Sequence, residues 1–135
     1  MILGIGTDLV KIPRVERLLM RFGDRFTHRC FTERERMISD KSKCPASSYA
    51  KRFAAKEACS KALGIGIASG IHWLDFETTN DAFGKPGMEF SGKASSYLSR
   101  MVPCYSVSQV DLSLADEYPF AQAVVVISAR PFLAS

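Results

Sequence analysis

The sequence predicts an α+β fold, a small antiparallel sheet packed with helices. Three observations carry that expectation. Val15, Leu18, Leu19 and Phe22 recur at i, i+3, i+4 and i+7, the spacing of an amphipathic helix. A long stretch from about Ser48 to Leu63, rich in alanine and free of proline, predicts a second, longer helix. Near the end, "YSVSQVDLSL" and "FAQAVVVIS" read as two strands joined by "ADEYP", a hairpin.

Taken in order, Ile2 to Ile5 is a short apolar run that predicts a strand ending near Gly6 and Asp8. Pro13 suits the start of the first helix, because its fixed φ is already helical. Arg14, Arg17 and Arg21 fall on another face of that helix, roughly a turn apart. In "FTERE", Thr32 precedes Glu35 by three residues, a capping box that opens a short helix. "KSKCPASS" reads as a loop, and the long helix follows with Gly64 at its C-terminal cap. "WLDFETTN" alternates, with Leu74, Phe76 and Thr78 on one side of a strand. "NDAFGKPG" is a turn, Met88 to Phe90 the returning strand, and Ser91 to Met101 a helix.

Composition bounds the function classes. The 135 residues suit one domain. With 47% hydrophobic and 24% charged residues the chain reads as globular, not disordered. Its longest apolar runs are too short to span a bilayer, and "MILGIGTDLV" lacks the basic start of a signal peptide, so no membrane role is expected. Cys30, Cys44, Cys59 and Cys104 form no CxxC pair, and His28 and His72 have no zinc-like spacing to them. Scattered thiols suit the reducing cytoplasm. The net charge of +4 suits an anionic partner or substrate. No helix-turn-helix, zinc finger or aromatic RNA-binding motif supports nucleic acid.

The chemistry-bearing residues centre on the long helix. Glu57 and Lys61 stand at i, i+4 and share a face that also carries Ala50, Ala54 and Gly64, all small. The plainer reading is a solvated ion pair, which contributes only about 0.3–0.5 kcal/mol. The functional one is a face open to a ligand. Asp8, just after the first strand, is either a strand-end ligand or the cap of the next helix. Asp8 and Glu57 together supply two hard oxygen ligands of the kind magnesium takes, with phosphate oxygens completing its shell. Lys61 then faces a phosphate as a point charge, helped by amides of the Gly64–Gly66 loop. That set suits phosphoryl or phosphodiester transfer. For "GKP" at 84–86 and for the arginine stripe, a plain turn and a solvated face remain the alternatives.

These pieces also occur together, and in order, in one family. "GIGTDLV", "FTERE", "KRFAAKEACSKALGIG", "GKP" and "LSLADEYPFAQAVVVI" closely resemble the bacterial holo-(acyl-carrier-protein) synthases, the small AcpS-type 4′-phosphopantetheinyl transferases. The resemblance runs from Ile2 to about Ile127, and F-A-x-K-E-A-x-x-K-A behind an N-terminal G-x-D is its specific element. It implies transfer of the 4′-phosphopantetheine arm of coenzyme A to a serine of apo acyl carrier protein, for fatty acid biosynthesis. Adenosine 3′,5′-bisphosphate leaves, and magnesium is required. By motif match it implies Asp8 and Glu57 as metal ligands, and Lys61 at the transferred phosphate. Gly64, Gly66, Gly84, Lys85 and Pro86 would line the coenzyme A site, with Arg52 for its phosphates. Arg14, then Arg21 and Arg17, would meet the acidic carrier. It implies a homotrimer whose active sites draw on two subunits, and in-line attack of the carrier serine, its proton passing to Glu57 or to a water.

The sequence departs from the family at one place. Many relatives carry a histidine after LS-x-[ST], where this chain has Asp116. A carboxylate only accepts hydrogen bonds, so it cannot replace a cationic donor to a phosphate. The contact is then lost or supplied by a lysine or arginine elsewhere. Two other function classes stay in view. One is a magnesium-dependent pyrophosphohydrolase, which would show a denser cluster of glutamates. The other is a basic, non-enzymatic module that binds an acidic protein through the arginine stripe.

Overall fold

In a computed structural model that describes residues 1–66 and 70–132, the long helix lies across a three-stranded antiparallel sheet. The elements run β1 (Ile2–Lys11), α1 (Ile12–Phe22), α2 (Asp24–Cys30), α3 (Glu33–Asp40), α4 (Pro45–Ala62), a 3₁₀ turn (Trp73–Asp75), β2 (Phe76–Asn80), β3 (Pro86–Phe90), α5 (Gly92–Met101), β4 (Ser106–Glu117) and β5 (Phe120–Pro131). The large sheet has the order β1–β5–β4, and β2 pairs with β3 in a separate hairpin. The α+β expectation holds.

Two glycines set how close α4 comes to the sheet. A Cβ on Gly4 would stand 2.0 Å from the carbonyl oxygen of Ala62, and one on Gly6 would stand 1.9 Å from that of Ala58. No side chain fits in either gap. Ala54, Ala55, Ala58 and Ala62 of the helix are buried, as are Ala121, Ala123 and Val125 of β5 behind it. Small residues on both surfaces therefore let two backbones touch, in the way interiors close-pack.

Several sequence expectations are corrected. β1 does not stop near Gly6 but continues through Asp8 to Lys11, because its partner β5 offers a continuous ladder from Ser128 to Phe120. Pro45 to Ser48 is not loop. Proline at the first turn starts α4 there, three residues early. Leu63 is the cap, and Gly64 follows it with φ +76°, the left-handed C′ position. Trp73–Asp75 is a 3₁₀ turn that leaves Leu74 44% exposed, while Phe76 and Thr78 are buried as the alternation required. The final hairpin forms, with Tyr118 and Pro119 alone as its turn. α2 had no sequence signal strong enough to predict it. Its seven residues bury only Phe26, Thr27 and Cys30.

The Thr32 capping box is present in full, with Thr32 N–H donating to Glu35 Oε1 at 2.9 Å. All four cysteines are thiols; Cys30 and Cys59 are buried, and burial pushes them up to about 11 and about 12. No described helix is long and apolar enough to cross a membrane.

The close approach predicts an outcome. Gly6→Ala should destabilise the chain by about 3 kcal/mol or more, since a core that cannot relax pays at least the usual overpacking cost. Urea unfolding measures it. A loss under about 0.5 kcal/mol, the range of an ordinary surface change, would show that α4 can lift off β1.

Candidate active site

The approach of α4 to β1 brings Asp8 of the strand beside the exposed end of the helix. Asp8 Oδ1 accepts a hydrogen bond from Lys61 Nζ at 3.0 Å, and the same ammonium donates to the carbonyl of Thr7 at 3.0 Å. Asp8 is 17% exposed at its side chain and Lys61 53%, so the pair sits at the rim of the interior. Glu57 is half-buried one turn before Lys61. Its carboxyl is held above the ordinary value, first by burial and then by the charge of Asp8, with Lys61 and Arg14 opposing. Forty-nine residues apart in sequence, Asp8 acts on Glu57 through its charge, and the ion pair that Lys61 makes is with Asp8 of the strand.

The donor set fits a hard cation. The charged form of Glu57 is made costly first by burial and then by the charge of Asp8, and a positive ion between the two carboxylates would favour it. Among the described residues no group of three or more His, Cys, Asp or Glu gathers. A cation held by Asp8 and Glu57 would therefore keep positions open to phosphate or water oxygens, as magnesium does.

The residues expected to line one coenzyme site are divided between two places. Arg52, Gly84 and Pro86 come together in a pocket of about 270 Å³, with Lys51, Thr79 and Leu114. Glu57 lies five residues after Arg52, so the two project about 140° apart around the helix. The pocket and the carboxylates therefore open on different sides of α4. Gly64 and Gly66 lie at the Lys61 end. The amides of Gly64 and Ile65 are already engaged, donating to Lys61 O at 2.9 Å and Ser60 O at 3.2 Å, so they close the helix rather than face a ligand. Lys85, between Gly84 and Pro86, is 67% exposed, with its Nζ 4.0 Å from Asp111 Oδ1. Asp116 is ion-paired with Lys51 at 3.5 Å.

Arg14, Arg17 and Arg21 are exposed on α1, as their spacing required. The stripe continues onto α2 as Arg25 and Arg29, which the sequence reading missed with the helix itself. Leu18, Phe22, Phe26 and the stacked pair Phe53–Trp73, 4.5 Å between ring centres, make an apolar groove of about 370 Å³ between these arginines.

Sequence reasoning also missed the pair beneath the site. Lys56 and Glu35 are both fully buried, 2.6 Å apart. Lys56 Nζ donates as well to Cys30 O at 2.7 Å and Trp73 O at 3.1 Å, while Glu35 Oε2 accepts from Thr78 N and Thr78 Oγ1 at 3.0 and 2.8 Å. Every donor and acceptor is used. One knot ties α2, α3, α4, the 3₁₀ turn and β2 together. The capping box pointed to Glu35, but only as a local cap.

Residues 4–122 match the family model of the 4′-phosphopantetheinyl transferase superfamily, and the chain belongs to that superfamily. Within it, the chain is 56% identical over 131 residues to the holo-(acyl-carrier-protein) synthase of Rhizobium leguminosarum bv. trifolii, covering 97% of this chain and 98% of that one. It is 52% identical over 135 residues to the same enzyme of Methylorubrum extorquens, covering 100% and 99%. Among solved structures it is similar to the Neisseria meningitidis synthase, with TM-score 0.83 at 36% identity over 95% of this chain and 99% of that one. It is also similar to the Helicobacter pylori synthase in complex with coenzyme A, with TM-score 0.78 at 33% identity over 92% and 99%.

Two predictions follow from these charges. Lys56→Met leaves Glu35 buried without its partner and should cost about 3–5 kcal/mol by urea unfolding. A cost near zero would mean that the knot relaxes into solvent. For Glu57, a folded pKa above the unfolded value of 4.5 means that the folded chain holds more protons between the two values. Its contribution therefore falls as pH rises through that window. Glu57→Gln should gain stability relative to the parent as pH rises above 4.5; an absent gain would place Glu57 in a solvated setting.

Proposed function

We propose that this chain transfers the 4′-phosphopantetheine arm of coenzyme A to a serine of apo acyl carrier protein, giving the holo carrier and adenosine 3′,5′-bisphosphate, as one magnesium-dependent transferase domain. The observation that carries the residue assignment is the meeting of Asp8, Glu57 and Lys61, brought from β1 and α4 to one exposed rim with Arg14 beside them. Asp8 and Glu57 would hold the ion. Bound there, magnesium would supply charge neutralisation for the pyrophosphate.

The rest is the work of the chain's own side chains. Lys61, exposed beside Asp8, would meet the transferred phosphate as a point charge. Glu57, raised in basicity by its burial, is placed to take the serine proton, directly or through a water. Arg52 binds a phosphate of coenzyme A in its pocket, walled by Gly84 and Pro86. Gly64 leaves space near Lys61, and Gly66 follows it at the same end of the helix. Arg25 and Arg29 border the apolar groove, Arg14, Arg17 and Arg21 line a second hollow that shares Leu18 and Phe22 with it, and together they receive an acidic amphipathic helix of the carrier.

The placement of the two half-sites on different sides of α4 supports a homotrimer in which one copy's Arg52 pocket faces another's carboxylates. The outward face of the sheet supports it too. Ile5 and Leu9 are each 61% exposed there, with Val124 between them on β5. Such a face is a liability unless a copy covers it. A reducing cytoplasm suits the four thiols and the proposed substrate.

The decisive experiment is the intact mass of apo acyl carrier protein after incubation with this protein, coenzyme A and magnesium. A gain of one phosphopantetheinyl group, lost on chelation, is expected. Glu57→Gln should abolish the gain and also the rise in melting temperature that magnesium gives the parent. Transfer at a near-parental rate by that variant would overturn the assignment of Glu57. KM for the carrier should rise steeply with salt, while KM for coenzyme A rises less, because exposed arginine contacts are screened.

A further inference from the structure

The Arg52 pocket is lined by two cations, Arg52 and Lys51, and the carboxylate of Asp116 stands beside it against Lys51. Arg52 is 8% exposed, and its Nη1 donates to Ser48 Oγ at 2.8 Å. Its Nε is buried with no hydrogen-bond partner, the one such side-chain atom among the described residues. A buried guanidinium donor left unpaired is costly in an unliganded chain. Burial lowers its pKa, and Glu35 opposes that. The neighbouring residue, Lys51, lines the same pocket and is paired with Asp116 at 3.5 Å, both being about one third exposed. That pair is loose and solvent-reached, so it contributes little to stability and opens readily.

We propose that Lys51 is a second cationic contact of this pocket for a phosphate monoester, and that Asp116 is its resident counterion, displaced when the phosphate arrives. The inference rests on the coenzyme A reading above. Coenzyme A carries one phosphate monoester, the 3′-phosphate, and it is the group whose double charge a pair of cations matches. With Asp116 in place the two cations and one carboxylate leave a single net positive charge. Asp116 therefore restrains the pocket's affinity for a dianion, and the same restraint eases release of a by-product bearing the same phosphate.

Lys51→Met, Asp116→Asn and the double variant test this by calorimetric binding and by transfer kinetics, each with coenzyme A and with 3′-dephospho-coenzyme A. Lys51→Met should weaken coenzyme A binding and raise its KM about tenfold with kcat little changed, as expected for one charge-assisted contact. Asp116→Asn should tighten coenzyme A binding about two- to threefold by removing a like charge near the phosphate. The double variant should lie between the parent and Lys51→Met. None of the three should differ from the parent on 3′-dephospho-coenzyme A.

Equal effects on both substrates would overturn the assignment of the monoester. Weaker coenzyme A binding by Asp116→Asn would make Asp116 a brace and overturn its role as a counterion. No effect of Lys51→Met would overturn the contact itself. The pattern in binding without any transfer by the parent would instead sink the transferase reading and leave this inference standing, and parental transfer without the pattern would do the reverse.

Discussion

The closeness of α4 to β1 is the constraint on which the rest of this structure depends. With a Cβ at Gly6 the helix would meet the strand at 1.9 Å, so contact at this depth requires glycine on the strand. Alanines on the helix and on β5 complete the same requirement. The consequence is positional. A strand that carries Asp8 two residues past Gly6 delivers its carboxylate to the helix turn that carries Glu57 and Lys61. Had Gly6 been any larger residue, the helix would ride higher and the Lys61–Asp8 contact of 3.0 Å would open.

A second layer of order lies under the first. The buried Lys56–Glu35 pair adds no exposed chemistry, yet its bonds reach five elements, including β2, which walls the Arg52 pocket. A paired buried charge is weak evidence for net stability, because desolvation opposes the Coulomb gain. Its value here is geometric. Both ions are fully saturated, which fixes the setting of α4 against β2 and so turns Arg52 to the pocket that β2 walls, while Glu57 projects about 140° away.

The electrostatics divide by burial. At the Asp8–Glu57 rim, a half-buried acid is raised first by its burial and then by its neighbour's charge, and a cation there would oppose both. Along α1 and α2 the arginines stand in solvent beside an apolar groove, where they act over distance and yield to salt. In the Arg52 pocket a buried donor lacks a partner and a neighbouring cation is held by a loose carboxylate. Each of the three places is unsatisfied in its own way, and each deficit matches a different part of the proposed reaction: metal, carrier and coenzyme.

Much of this was legible in the sequence. The i, i+4 spacing alone put Glu57 and Lys61 on one face, the Thr32–Glu35 spacing alone gave the capping box, and the helical period put three arginines on one side of α1, because local geometry follows from chain periodicity. Family motifs extended that to Asp8 and Arg52. The three-residue shift at the start of α4, the full length of β1 and the existence of α2 were decided elsewhere, by a proline at a first turn, a long partner strand and a few buried side chains. The Lys56–Glu35 pair and the Lys51–Asp116 pair had no local signal as pairs. They join residues 21 and 65 positions apart, and only the tertiary packing of α3 and of β4 against α4 brings those positions together.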